Sequence, residues 1–299
     1  MSPEELMQEV KRLQITARHI VTEVFAGEYS SAFKGRGMEF ADVREYEPGD
    51  DVRTIDWNVT ARAGRPFVKR FTEERELTVM LAVDLSGSER FGSERRMKQN
   101  VAAEVCAVIA FAALRNNDRV GLMVFTDEVE MFVPPAKGSR HVLRLVRELL
   151  AYEPRKKGTN LDVAVSHLSR SLKRRSVIFM VSDFLAPSPA DSLRMLKGKH
   201  DTTAILVEDP REQKWPSAGL IELEDAETGR RFLVDAGSSR VRRAYEHGAG
   251  ARRRLLLESF GRFGIDTLAV STRAGDDRHP AYVHELMMFF RKRERRRSA

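Results

Sequence analysis

The chain has 299 residues, of which 42% are hydrophobic and 32% charged, and its formal net charge is +7. That length suits one large α/β domain with an appendage, and a single cysteine, Cys106, excludes an intramolecular disulfide framework. The longest apolar run, Val105 to Leu114, is about half the ~18 residues of a membrane span, which points to a buried helix instead.

The opening Met1-Ser-Pro-Glu-Glu-Leu6 lacks the basic start and apolar core of a signal peptide, so a cytoplasmic location is the default expectation. Leu6, Val10, Leu13, Ala17, Ile20 and Val24 recur at three- and four-residue spacing, which predicts a helix from residue 3 to about 25. From Gly27 to Glu76 the turn residues of Gly35-Arg-Gly37, Pro48-Gly-Asp-Asp51 and Gly64-Arg-Pro66 predict short strands and structured loops. Leu77 to Asp84 begins a main sheet, Ser93 to Asn116 reads as a long helix, and Val120 to Phe125 as the next strand. Glu128 to Pro134 is expected as an antiparallel edge strand, and Val142, Leu145, Val146, Leu149 and Leu150 mark an amphipathic helix. A helix after Thr159, strands at 176–182 and 202–207, and a helix near 189–197 follow. Then come an inserted hairpin near 220–235, a helix from about 239 to 263, a strand at 266–270 and a final helix opened by Pro280. Alternating strands and helices predict a doubly wound, mostly parallel α/β sheet. The division expected is 1–76, an N-terminal helix with a β-rich segment, and 77–299, the sheet domain with its inserted hairpin.

The run Val79-Met-Leu-Ala-Val-Asp84-Leu-Ser86-Gly-Ser88 is an apolar strand ending in an Asp-x-Ser-x-Ser loop. In open α/β sheets ligands bind at the carboxyl ends of the strands. One carboxylate and two hydroxyls there are hard oxygen ligands suited to Mg2+ or Mn2+. Taken singly, Asp84, Ser86 and Thr159 also suit helix caps. Thr159 lies in a loop feeding a helix, and Ser176 to Asp183 repeats the design of an apolar strand ending in oxygen ligands. The ordered set Asp84, Ser86, Ser88, Thr159 and Asp183 resembles the metal-ion-dependent adhesion site of von Willebrand factor type A domains. The resemblance implies that these five residues hold a divalent cation. One departure is Phe184, where many such domains carry glycine.

The segment before the sheet reads Gly35-Arg36-Gly37-x-x-Phe40, Arg44-x-Tyr46-x-Pro48-Gly-Asp50-Asp51-x-Arg53-x-Ile55-Asp56-Trp57, then Thr60-Ala-Arg62 and Gly64-Arg-Pro66. Together with the sheet motif it resembles the family called domain of unknown function 58, over nearly the whole chain. Arg44, Asp50, Asp51, Arg53, Asp56 and Arg62 alternate in sign and can form a charge-assisted network. Its two readings are a structural clamp and a docking surface of Arg36, Arg44, Arg53, Asp56, Trp57 and Arg62.

Catalytic readings find little support. The position two residues after Asp84 is Ser86, not the second aspartate of a haloacid-dehalogenase-type phosphotransferase, and neither a Gly-x-x-x-x-Gly-Lys-Ser/Thr loop nor a Gly-x-Ser-x-Gly elbow occurs. A metal-assisted hydrolase using Asp84 and Asp183 stays open as an alternative. The family resemblance implies a non-enzymatic adaptor, since its members are often paired with MoxR-type AAA+ ATPases in systems that remodel or mature client proteins. A different alternative rests on charge: Lys173-Arg-Arg175, Arg252-Arg-Arg254 and the C-terminal run Arg291 to Arg297 suit nucleic acid or an anionic membrane surface.

Overall fold

The computed structural model describes residues 2–23, 28–33, 39–72, 76–93, 96–273 and 280–298. It divides into two units. One is Phe33–Leu77; the other joins Met1–Ala32 to Thr78–Ala299.

The larger unit is built on a six-stranded sheet. Its strands are β3 (Thr78–Asp84), β4 (Arg119–Phe125), β5 (Val129–Ala136), β6 (Val177–Ser182), β7 (Asp201–Glu208) and β10 (Asp266–Ser271), in the order β10-β7-β6-β3-β4-β5. All neighbours are parallel except β4 and the edge strand β5. The apolar runs of β3, β4, β6 and β7 are buried almost throughout, as strands covered on both faces require. One face packs on α6 (Leu161–Ser171), α7 (Pro189–Lys199) and the C-terminal part of α9 (Ser239–Arg262), through Met80, Ala82, Met180, Leu168, Leu193 and Phe260. The other receives α4 (Lys98–Arg115) and α5 (Ser139–Ala151), where Leu81 and Leu122 meet Ala107, Ala110 and Leu145. The fold is therefore the doubly wound α/β architecture that the alternation predicts.

Helix α4 is apolar nearly all round because it is covered twice, by the sheet and by α1 (Pro3–Glu23). Val10, Leu13, Ala17, Ile20 and Val21 form the buried stripe of α1, and Arg12 reaches the buried Glu104 of α4 at 3.1 Å. The N-terminal helix thus belongs with the sheet unit, not with the β-rich segment to which its position in the chain assigns it. Helix α4 also starts later than the expected Ser93. Asp209 accepts the Ser93 amide at 2.9 Å and its hydroxyl at 2.5 Å, so Ser93 is held by another loop.

The chain ends in α10 (Ala281–Ser298), which packs on β10. Here the basic run is partly structural. Arg293 is buried and ion-paired with Asp201 and Asp266, and Arg296 pairs with Asp266 at 3.0 Å. The inserted hairpin is a separate two-stranded sheet, β8 (Leu220–Glu224) with β9 (Arg231–Asp235), paired from Leu220↔Asp235 to Glu224↔Arg231.

In the smaller unit β1 (Glu39–Glu45) pairs antiparallel with β2 (Phe67–Thr72), and α3 (Trp57–Ala63) lies between them in sequence. The charges do not form one network there. Arg44 and Asp50 pair at 2.6 Å, whereas Asp51 and Asp56 cap helical turns through backbone amides. A short acidic side chain just ahead of a helical turn satisfies otherwise unpaired N–H groups, and that local bond wins over a distant guanidinium. Gly64 closes α3 in the left-handed conformation at φ 68°, where a side chain is disfavoured. Arg36 lies outside the described residues.

Candidate metal centre

The order of the sheet makes its switch point at β3 and β6: the chain leaves β3 toward β4 on one side and returns to β6 on the other. Their register pairs Val83 with Val181, so Asp84 and the Ser182-Asp183 step emerge side by side. A crevice outside the carboxyl ends of such strands is where α/β sheets bind ligands.

Asp84 is fully buried and held by two donors. The Ser86 amide gives to Oδ1 at 2.9 Å and the Ser182 hydroxyl to Oδ2 at 2.7 Å. The Ser86 and Ser88 hydroxyls lie 3.2 Å apart. Asp183 sits opposite, its Oδ1 accepting the Leu185 amide at 3.1 Å. The structure thus brings Asp84, Ser86, Ser88 and Asp183 to one place. Thr159 reaches the rim: the Gly87 amide donates to Lys157 O at 2.8 Å, pinning the two loops together. The Thr159 hydroxyl, however, donates to Glu227 Oε1 at 2.9 Å.

Three charged groups at this site escape sequence reading. Glu89, only 1% exposed, accepts the Asp183 amide at 2.9 Å through Oε1, while its Oε2 is buried with no hydrogen-bond partner. Asp84, Glu89 and Asp183 each offer a carboxylate oxygen within 4.8 Å of the others. Lys98, at 0% exposure, donates to Asp183 Oδ2 at 2.6 Å and to Glu212 Oε1 at 2.7 Å. Glu212 is presented by a short helix, α8 (Pro210–Gln213), whose capping box it completes with Asp209.

The electrostatics follow from burial. Desolvation first, then repulsion from Asp183, pushes the Asp84 carboxyl up to about 7. The same two causes, in the same order, hold Glu89 well above the ordinary carboxylate range. Burial disfavours the Lys98 ammonium, but Asp183, Glu89 and Glu212 outweigh it and raise that group above its usual value. Three carboxylates, Asp183, Glu89 and Glu212, therefore share the Lys98 ammonium.

This donor set fits a small hard divalent ion. Apart from the Lys98 ammonium, its side-chain groups are carboxylates and hydroxyls, and the unpartnered Glu89 Oε2 is what such an ion would satisfy. Asp84, Asp183 and Glu89, with the hydroxyls of Ser86 and Ser88, are the groups that would hold it.

Phe184 explains how the loop manages without glycine. Its φ is +54°, in the left-handed region, yet its ring is 3% exposed and packs edge-on against Phe260 at 5.2 Å between centroids. Ring burial offsets backbone strain of roughly 1–2 kcal/mol. Phe184→Gly and Phe184→Ala both lose the ring, but only glycine relieves the backbone, so the glycine variant is expected to be the more stable by about 1 kcal/mol in urea unfolding. Equal stability, or a more stable alanine variant, would show that φ carries no strain.

Beside the cluster opens a cleft of about 570 Å³, lined by Asp183, Phe184, Leu185, Leu206, Arg252 and Leu255 among others. Fold and site together define a doubly wound α/β protein with a buried carboxylate–hydroxyl cluster at its switch point. The chain belongs to the family described as "Protein of unknown function DUF58", whose model matches residues 42–255. It is 31% identical over 273 residues to the uncharacterized protein Rv1480 of Mycobacterium tuberculosis, covering 90% of this chain and 85% of that one. It is 29% identical over 109 residues to the uncharacterized protein YeaD of Bacillus subtilis, covering 36% of this chain and 25% of that one. Among solved structures it is similar to the conserved hypothetical protein BatB from Bacteroides thetaiotaomicron. The TM-score is 0.47 and the identity 14%, over 73% of this chain and 99% of that one.

Proposed function

We propose that this protein is a non-enzymatic, divalent-cation-dependent protein-binding module, an adaptor that presents client proteins to a MoxR-type AAA+ ATPase. The observation that carries the reading is the buried set Asp84, Glu89 and Asp183, with one Glu89 oxygen lacking any partner, at the switch point of the sheet. A bound Mg2+ or Mn2+ supplies a coordination position that an acidic group of a partner can fill. The adjacent cleft gives that partner an apolar foothold, with Leu185 and Leu255 exposed at its wall.

Hydrolysis is less well supported, because no imidazole hydrogen-bonds to this cluster among the described residues and Lys98 is held between two carboxylates. Part of the basic tail serves the fold through Arg293 and Arg296, which weakens the nucleic-acid and membrane reading. In the smaller unit, Arg53 and Arg62 are exposed and Trp57, at 69%, is a large exposed aromatic; we place ATPase docking there. No helix of the described residues is long and apolar enough to cross a membrane.

Calorimetric titration with Mn2+ tests the centre: wild type is expected to bind one ion, and Asp84→Ala to lose at least tenfold in affinity, about 1.4 kcal/mol. Capture of the ATPase by wild type in Mg2+ should then fail in EDTA and in the variant. Equal capture throughout would remove the metal from the function.

A further inference from the structure

The hairpin β8–β9 does not stand clear of the candidate centre. Its turn, Asp225-Ala-Glu227-Thr-Gly229, comes down on the mouth of it. Glu227 Oε1 accepts the hydroxyl of Thr159, a residue singled out from sequence as a ligand. At the same place the Ala226 carbonyl lies so close to Gly87 that a Cβ built there would meet it at 2.4 Å. Gly87 sits between the two hydroxyl residues Ser86 and Ser88, so the backbone of the turn abuts that loop while its carboxylate holds Thr159.

The turn is braced from within, while the stem is tied down at its foot, where Arg242 donates to the Ala236 and Gly237 carbonyls at 2.7 Å. Asp225 Oδ1 accepts the amides of Glu227 and Thr228 at 3.1 and 2.7 Å, which fixes how Glu227 is presented. A two-stranded hairpin alone is marginally stable in water, and this one leaves Leu220, Phe232 and Leu233 exposed. The Glu227–Thr159 bond is itself between exposed groups, so it is one that water or a competitor can replace.

We propose that this hairpin is an internal cap, with Glu227 occupying the place that a partner's carboxylate takes at the centre. The inference rests on the metal-dependent binding reading and deepens it by naming its regulation. A partner must bring its own acidic group and displace the turn, and the released hairpin then offers Leu220, Phe232 and Leu233 as further apolar contact. Because the cap is tethered, its effective concentration is on the order of millimolar, so only a well-matched partner competes. The cap thereby screens out free carboxylates and isolated acidic side chains.

The test uses the full chain with Mn2+ as the probe, comparing wild type, E227Q and E222Q. The last makes the same charge change on the hairpin stem, away from the turn. Water-proton relaxation reports the exchangeable water on bound Mn2+. The expected result is a gain of about one exchangeable water in E227Q and none in E222Q, since the ion keeps water wherever no protein oxygen replaces it. Equal relaxation in all three forms, with Mn2+ bound, overturns the cap and leaves the metal centre standing. Should none bind Mn2+, the metal reading fails and the cap is judged on the metal-free chain by amide hydrogen exchange. Faster exchange across residues 84–91 and 222–232 in E227Q, and not in E222Q, then sustains the cap; unchanged exchange overturns it.

Discussion

Lys98→Met is expected to destabilise the metal-free protein by about 3–5 kcal/mol, because it leaves the buried carboxylates it pairs with without that cation. Lys98 is fully buried, and its ammonium bridges Asp183 and Glu212 while also offsetting the charge of Glu89. Methionine has similar length and keeps the packing of the stem, so lost packing contributes little. The more telling part of the result lies in the response to Mg2+. In wild type an incoming divalent ion meets a site already partly neutralised by an ammonium. In the variant nothing offsets the carboxylates except the ion. Mg2+ is therefore expected to stabilise the variant by about 2.7 kcal/mol at a hundredfold excess over the variant's dissociation constant, and wild type by less at the same concentration. Urea unfolding of both forms, in EDTA and in Mg2+, measures this directly. Equal stabilisation by Mg2+ would show that Lys98 does not stand in for the ion.

That lysine also shows where reading the sequence stops. The sheet was legible because its strands are unbroken apolar runs, and only burial on both faces permits such runs. The hairpin was legible from its turn, and Asp84, Ser86, Ser88 and Asp183 from their places at strand ends. Lys98 and Glu89 carry no such signal. A lysine in a stretch such as Met97-Lys-Gln-Asn100 reads as surface, and its burial follows only from folding Asp183 and Glu212, far along the chain, onto it. Glu89 follows Ser88 directly, but only the 3-10 turn Gly87–Arg90 swings it inward. Helix α4 begins at Lys98 and not at Ser93 for a related reason: Asp209, far along the chain, holds Ser93. Long-range pairing of polar groups, unlike apolar periodicity, leaves no local pattern.

The second large effect is on pH. Metal-free wild type is expected to lose stability as pH rises from about 5 to 8, and Asp84→Asn to lose much less. In the folded chain the Asp84 carboxyl is raised to about 7, by burial first and then by Asp183, whereas an unfolded aspartate titrates near 3.9. Between those values the folded state binds more protons than the unfolded state, and stability therefore falls with rising pH. The penalty is absent below about pH 4 and complete above about pH 7, and it amounts to the order of 3–4 kcal/mol. Glu89 moves in the same direction and stays in the variant, so a residual slope is expected there. Paired carboxylates such as Asp209 are lowered and act only in the acid range, outside this window. Urea unfolding in EDTA at pH 5 and pH 8 measures the difference, and the same loss in both proteins would refute the assignment. Mg2+ at pH 8 should restore wild type and leave Asp84→Asn unchanged, since the charge that destabilises the empty fold is the charge that holds the ion.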